Sequence, residues 1–412
     1  MKVSKSLREN IKMAQSILPI GKSFDLITRE LSFGSLSSYF IAVNGLFHQE
    51  LLQRLFSDLQ NPLFLPDCHF YEIKRLMEEK IGCTQVSESD DWDLIIRSLL
   101  SGPCVLFFDG YEKALIIDTR SYPSRGIAEP ENEKVLRGAK DGFVETMLFN
   151  ANMIRRRIRS PKLTFEISTV GDASKTDVSI AYMQGLADNA LLGKIREKLS
   201  GLNISSLTMG TKSLEGLLLK KRWFHPLPSF YVTERPDVAC SYLMEGYILL
   251  MIDTTPSVLI LPCSVFQFTQ SPEDYYKPPI LGNYIRLMRF FCIFASQFLM
   301  PVFLLFAMNP TLLPAGITLL PTGPLEPVRI FIYVLLAELL LDLFKYSSAH
   351  TPGGFSGAIG MVGGLLIGDV AVKLEWASTE VIFYAAATLL ATLSLSHYVS
   401  FRLYYGKSGD KN

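Results

Sequence analysis

Apolar positions along this chain follow two regimes. Up to about residue 289 they come as short runs, each closed by a glycine and followed by apolar residues three and four apart, whereas beyond it they come as long uncharged blocks. The run YFIAVNGL at 39–46 reads as an apolar strand, a turn at Gly45 and then an amphipathic helix to residue 59. It has an echo in SIAYMQGL at 179–186, again followed by a helical period through Ile195 and Leu199, and Gly45 and Gly185 stand 140 residues apart. A second pair agrees: a helix, Gly102 and the strand 104–109 against a helix, Gly246 and the strand 247–253, offset by 144, with a further apolar strand after each at 114–118 and 257–261. Two pairs in one order at nearly one offset predict a duplication, and hence tandem α/β lobes, each with a small mixed sheet. The expected limits are 1–120 for the first lobe, 121–162 for a connector and 163–289 for the second lobe. Between two such lobes lies a cleft, either a small-ligand site or one closed by packing.

The connector is broken by Pro123, Gly126 and Pro130 and continues into a helix-like stretch, 143–160, with Arg155, Arg156, Arg157 and Arg159. Arg125, Glu129, Glu131, Glu133, Arg137 and Glu145 suit a salt-bridge network, within the chain or against another copy. The basic helix reads either as a face near anionic headgroups or as an ordinary solvated face.

Residues 290–308 form an uncharged run of 19, close to the roughly 20 residues that cross a hydrocarbon core as helix. Pro301 within it predicts a kink. Weaker spans follow at 328–344, 355–372 and 381–399, giving an α-helical membrane domain of about four helices over 290–402 and a short polar tail, 403–412. The glycine content of the third leaves a partly re-entrant path open. Arg286 and Arg289 precede the first span and the loop to Pro327 has no Lys or Arg, which by the positive-inside rule puts the front of the chain in the cytoplasm. Glu338 and Asp342 are four apart, on one helical face. A charge at membrane depth costs about 3 kcal/mol, so that face either meets a pore or a packed interior, or Asp342 reaches the interface near Lys345 while Glu338 stays protonated. Asp369 has Lys373 four residues on, in position for a local ion pair. Ser356, Gly360, Gly364 and Gly368 leave one flank of the third span almost without side chains, a seam for close packing within one chain or between copies.

The charge balance sharpens the division. The 40 basic and 40 acidic residues cancel, which argues against a nucleic-acid partner. Only 13 of the 80 charges lie beyond residue 289. A hydrophobic share of 49% and a mean hydropathy of +0.24 average a soluble front and a membrane back. Cys68, Cys83, Cys104, Cys240, Cys263 and Cys292 lack the close spacing of a metal or redox pair. His48, His69, His225, His350 and His397 are dispersed, and no glycine-rich phosphate loop precedes a helix, so neither enzyme chemistry nor a cofactor or metal is expected.

The segment YPSRGIAEPENE at 122–133, with VLRG at 135–138 and DGFVE at 141–145, resembles the central signature of the A-subunit family of bacterial spore germination proteins. DVSIAYMQG at 177–185 and LGNYIR at 281–286 carry the likeness further, and it extends from about residue 21 to 398. The resemblance implies a multi-pass protein of the spore inner membrane with a two-lobed cytosolic region. It implies assembly with copies of itself and with other germination subunits, and a part in ion release or germinant signalling. Pro123, Ser124, Arg125, Gly126, Glu129, Pro130, Glu131, Arg137 and Gly138 are then its signature and assembly residues. The family continues into further hydrophobic sequence, whereas this sequence stops at Asn412; an accessory or inactive relative, or a proton-coupled secondary transporter, stands as the alternative.

Overall fold

The computed structural model describes residues 1–33, 36–60, 85–122, 138–219, 230–269, 271, 274, 277–309, 312, 327–350, 373 and 378–393. The chain forms two compact units, Met1–Ser264 and Val265–Asn412.

The first unit contains two five-stranded sheets. Lobe 1 runs α1 (Leu7–Ile17), β1 (Leu26–Phe33), β2 (Leu36–Val43), α2 (Gln49–Gln60), β3 (Val86–Ser89), α3 (Trp92–Leu99), β4 (Cys104–Phe108) and β5 (Ala114–Ile117). Lobe 2 runs α4 (Met147–Arg157), β6 (Leu163–Val170), β7 (Thr176–Met183), α5 (Asn189–Ser200), α6 (Thr211–Leu218), β8 (Tyr231–Thr233), α7 (Pro236–Met244), β9 (Ile248–Ile252) and β10 (Val258–Leu261). The strand orders are β1-β2-β4-β5-β3 and β6-β7-β9-β10-β8, one topology twice. The register repeats as well, Ser38 opposite Phe108 and Val178 opposite Ile252. The sheets are antiparallel throughout the described pairings, not mixed as the sequence pattern suggests. The physical reason is that β1–β2 and β4–β5 are joined by short connections, which pair successive strands antiparallel, while the excursion through α2, β3 and α3 returns β4 antiparallel to β2.

Both faces of each sheet are covered, so the central strands read as unbroken apolar runs instead of alternating ones. In lobe 1, α1 and α3 bring Leu7, Ala14, Trp92 and Ile95 onto Tyr39, Ile41 and Phe107. On the other face α2 brings Leu52, Leu55 and Leu59 onto Phe40, Leu106 and Phe108. Lobe 2 repeats the second layer with Leu192, Ile195 and Leu199 of α5 against Ile180 and Leu250. Its opposite face carries α7 and α4, which pack on one another and on β9.

The helix before each sheet belongs to the repeat. The Asn10 side chain accepts from the Ser4 amide at 2.9 Å and donates to the Ser4 carbonyl at 2.7 Å. Asn150, 140 residues on, does the same with Val144, at 2.8 and 2.6 Å. Asp109 accepts from the Leu7 amide, and Asp253 from the Met147 amide, at 3.0 and 3.1 Å. An N-terminal amide left without an intrahelical partner is thereby satisfied from the strand end in both lobes.

The second unit contains α8 (Pro279–Met308), α9 (Pro327–His350) and α10 (Thr379–Leu393). Helix α8 runs unbroken through Pro301. Among the described residues it is the one helix long and apolar enough to cross a membrane; α10 is apolar but shorter. Met300 and Phe303 of α8, Ile330 and Val334 of α9, and Val381 and Ala385 of α10 close into one core, with the Phe303 and Tyr384 rings 4.5 Å apart. Elsewhere α8 displays Phe291, Phe294, Phe298 and Leu305 outward, the surface a helix presents to hydrocarbon.

Candidate functional site

Two places concentrate chemistry: the junction between the lobes and the helical core of the second unit. At the junction the turn after β2 puts Gly45 at φ +79°, and α4 packs so close that a Cβ on Gly45 would lie 2.3 Å from Asn152 Nδ2 and 3.4 Å from Leu148. Its repeat partner Gly185 has φ +81° and, apart from its chain neighbours, nothing among the described residues within 4 Å of such a Cβ. The strain of a left-handed alanine is common to both positions, about 1 kcal/mol, and only Gly45→Ala adds overpacking, for a total of roughly 2–4 kcal/mol. Urea unfolding of residues 1–264 carrying each variant checks this; equal losses would contradict the Asn152 contact.

Arg155 of α4 is fully buried together with Asp25, which precedes β1. Its Nε donates to Asp25 Oδ2 at 2.7 Å, Nη1 to the Ser160 carbonyl and Nη2 to the Leu163 carbonyl, each at 2.9 Å. Ser23 Oγ donates to the other Asp25 oxygen at 2.5 Å and accepts from the Phe165 amide at 2.9 Å, while the Phe24 amide donates to the Phe165 carbonyl at 3.0 Å. Arg156 stacks 4.4 Å from the Tyr122 ring, and Arg157 grips both oxygens of Asp141 at 2.7 and 2.6 Å. Within the basic run, Arg155 thus points inward, while Arg156, Arg157 and Arg159 remain exposed, the first two tied to Tyr122 and Asp141. The pattern hides this because Arg155 is charged, yet it occupies an inward position of the helix.

On the surface of lobe 2, Glu166 accepts from Tyr182 Oη at 2.6 Å and from Arg196 at 2.7 and 2.8 Å, with Lys22 of lobe 1 at 3.6 Å. Burial pushes the Glu166 carboxyl up, but the bonds from Arg196 and Tyr182 and the charges of Arg196 and Lys22 outweigh it and hold it below its ordinary 4.5. A carboxyl lowered by folding contributes stability that is complete above the unfolded value and is lost as pH falls through the folded one. The first unit is thus expected to lose stability below about pH 4.5 more steeply than Glu166→Gln, as read from urea midpoints across that range.

In the second unit Glu338 extends the stripe of Ile330 and Val334 by one turn, flanked by Ala337 and Leu341, which pack on the three-helix core. Glu338 is half-buried on this seam and Asp342, a turn further, is exposed. A pair absent from the sequence reading ties α8 to the segment before it: Arg289 of α8 bonds both oxygens of the buried Asp274, Nη2 to Oδ1 at 2.9 Å, and also the Thr269 carbonyl at 3.3 Å. Arg289, counted from the sequence as an orienting positive charge, is neutralised by that carboxylate. Gly282 lets the first turn of α8 approach, since a Cβ there would lie 2.9 Å from the Asp274 carbonyl oxygen.

Asp369, Ser356, Gly360, Gly364 and Gly368 lie outside the described residues, as do Pro123, Ser124, Arg125, Gly126, Glu129, Pro130, Glu131 and Arg137. Gly138 is described, with φ +124°. Among the described residues no three His, Cys, Asp or Glu side chains gather as a metal site. Burial pushes the Cys240 thiol up to about 12, the opposite of an activated nucleophile.

Comparison with known proteins agrees with this architecture. The sequence profile described as Bacillus/Clostridium GerA spore germination protein matches residues 15–403. The chain is 32% identical over 401 residues to stage V sporulation protein AF of Bacillus subtilis, covering 97% of this chain and 80% of that one. It is 29% identical to spore germination protein KA of Bacillus subtilis, over 95% of this chain and 72% of the relative. The crystal structure of the N-terminal domain of the A subunit of the Bacillus megaterium spore germinant receptor GerK3 matches with a TM-score of 0.50 at 27% identity, covering 64% of this chain and 97% of that one. With its profile matched almost end to end, the chain belongs to the GerA family of spore germination proteins.

Proposed function

We propose that the chain is a non-enzymatic membrane subunit of a spore germination complex, anchored in the spore inner membrane with its two-lobed unit in the cytoplasm. It assembles there with copies of itself and with other germination subunits, and its membrane helices contribute to ion release or to germinant signalling. The observation that carries this reading is the position of Glu338: an acid on the packed seam of an apolar helical core, where a charge is expensive unless a wet path or a partner receives it. Names among the relatives support the setting, since they are germination and sporulation proteins. In this reading 290–402 forms four helices, α8 being the first span, with Asp342 and Asp369 beside the same path. The small-residue seam of Ser356, Gly360, Gly364 and Gly368 is then a helix contact. The signature from Pro123 to Gly138, in the connector between the lobes, serves assembly.

Reconstitution in vesicles tests the proposal. The full chain, with its partner subunits where required, is expected to release trapped ions passively, and Glu338→Gln to return release to the level of empty vesicles. Unchanged release in Glu338→Gln would remove the acid from the path. Substrate uptake coupled to a proton gradient would replace the proposal with a secondary transporter, a reading that the soluble location of the duplication does not favour.

A further inference from the structure

The duplication makes one face of the molecule informative, because lobe 1 shows what the equivalent face of lobe 2 is built to receive. In lobe 1 the end of the sheet bearing Gly45 is covered by the chain itself. Leu46 and Leu100 are fully buried there, the Ser121 amide donates to the Leu46 carbonyl at 2.8 Å, and Tyr122 Oη donates to the Ser101 carbonyl at 2.7 Å. Helix α4 completes the cover by setting Leu148 and Asn152 against Gly45. Among the described residues of the first unit the equivalent end of lobe 2 is left uncovered: Leu186, the counterpart of Leu46, is 54% exposed, and Met244, the counterpart of Leu100, is 55% exposed. The two adjoin, since a Cβ on Gly246 would lie 2.8 Å from the Leu186 carbonyl oxygen. Exposed Asp188 and Glu245 flank them where lobe 1 has His48 and Ser101.

The covering element in lobe 1 is the helix that begins the next repeat, and α1 is its counterpart at the other end of the unit, as the matching Asn10 and Asn150 bonds establish. At the positions where α4 carries Leu148 and Asn152, α1 carries Arg8 and Lys12, both exposed. The cover has exchanged an apolar residue and an amide for two cations, and the face has gained two acids. We propose that α1 of one copy docks on the Gly185–Gly246 end of lobe 2 in the next, repeating between chains the contact that α4 makes with lobe 1 within a chain. The contact is head-to-tail, so it builds a ring or a filament and not a two-fold dimer. It rests on the self-assembly reading above and specifies the surface that reading lacks.

The test uses the full chain in detergent, where its assembly is first sized. Lys12→Glu and Glu245→Lys are each expected to weaken self-association about tenfold, and the double variant to restore it. With the native cysteines replaced by serine, Arg8→Cys combined with Leu186→Cys is expected to give, on oxidation, a ladder longer than a dimer, which neither single variant gives. Assemblies that form normally in both charge reversals and yield no ladder would overturn the docking and leave self-assembly intact. A chain that stays monomeric in every condition would overturn both. Association only with a different co-expressed subunit, sensitive to Glu245→Lys but not to Lys12→Glu, would also overturn the docking.

Discussion

Arg155→Met is expected to cost the first unit about 3–5 kcal/mol, because it strands a buried carboxylate whose countercharge has gone. Asp25 and Arg155 are both completely shielded from solvent, so water cannot take over the lost interaction. The carbonyls of Ser160 and Leu163 lose their donors as well, and an unpaired buried acceptor adds its own penalty. The pair does not thereby count as a large net stabiliser, since desolvating both ions offsets most of their attraction. The sharper expectation is therefore a cycle: Asp25→Leu alone is also damaging, whereas Asp25→Leu with Arg155→Met recovers most of the loss. Urea unfolding of residues 1–264 measures all three. A single Arg155→Met variant within about 0.5 kcal/mol of the parent would be the behaviour of a surface pair and would contradict the burial. The consequence reaches function through geometry, because Asp25 sits at the entry to β1 and Arg155 at the exit of α4. Loss of the pair removes the buried ionic tie between the lobes and leaves the Phe24–Phe165 backbone bond and the packing of α4 on Gly45 to hold them.

Periodicity made the sheets legible. Runs that are apolar on both sides, punctuated by Gly45 and Gly185 and again by Gly102 and Gly246, mark strands buried under two layers of helix. The two offsets they share predict the common strand order that the sheets display. The same pattern did not reveal that α1 and α4 are repeat partners. Their buried positions match, but Arg8 and Lys12 against Leu148 and Asn152 make the outer faces look unrelated. The available signal was Asn10 and Asn150, at the same 140-residue offset as the glycines, and an asparagine six residues after the group it bonds has no generic sequence signature. Arg155 was misread for a related reason. A charge run is usually solvated, and only the three-dimensional neighbourhood, Asp25 at a separation of 130 residues, shows one member turned inward. In the second unit the long apolar run gave α8 directly, while the packing of Glu338 beside Ala337 and Leu341 depends on how helices meet, which hydropathy does not encode.

Arg289→Met is expected to loosen the start of α8 by about 3 kcal/mol while leaving the helix inserted. Asp274 is buried and Arg289 is 12% exposed, so removing the guanidinium leaves the carboxylate with the Ser271 amide, at 3.1 Å, as a remaining donor among the described residues. The Thr269 carbonyl loses its cation too. The apolar stretch of α8 that is long enough to cross a bilayer lies beyond Arg289 and is unchanged, so insertion as proposed, which follows from hydrocarbon transfer, is expected to be preserved. Hydrogen exchange on the full chain in detergent checks the claim: protection is lost at the Ser271 and Gly282 amides, on either side of the pair, and is retained at Phe298 through Met308. Orientation should be indifferent to the change as well. A cation already neutralised by Asp274 contributes little to the positive-inside bias, whereas Asp274→Asn exposes that cation and strengthens it. Equal protection at Gly282 in parent and Arg289→Met would show that the first turn of α8 is held by its approach to the Asp274 backbone alone. In that case the pair would not couple the segment before the helix to the span, and a movement of that segment would have no charged handle with which to move α8.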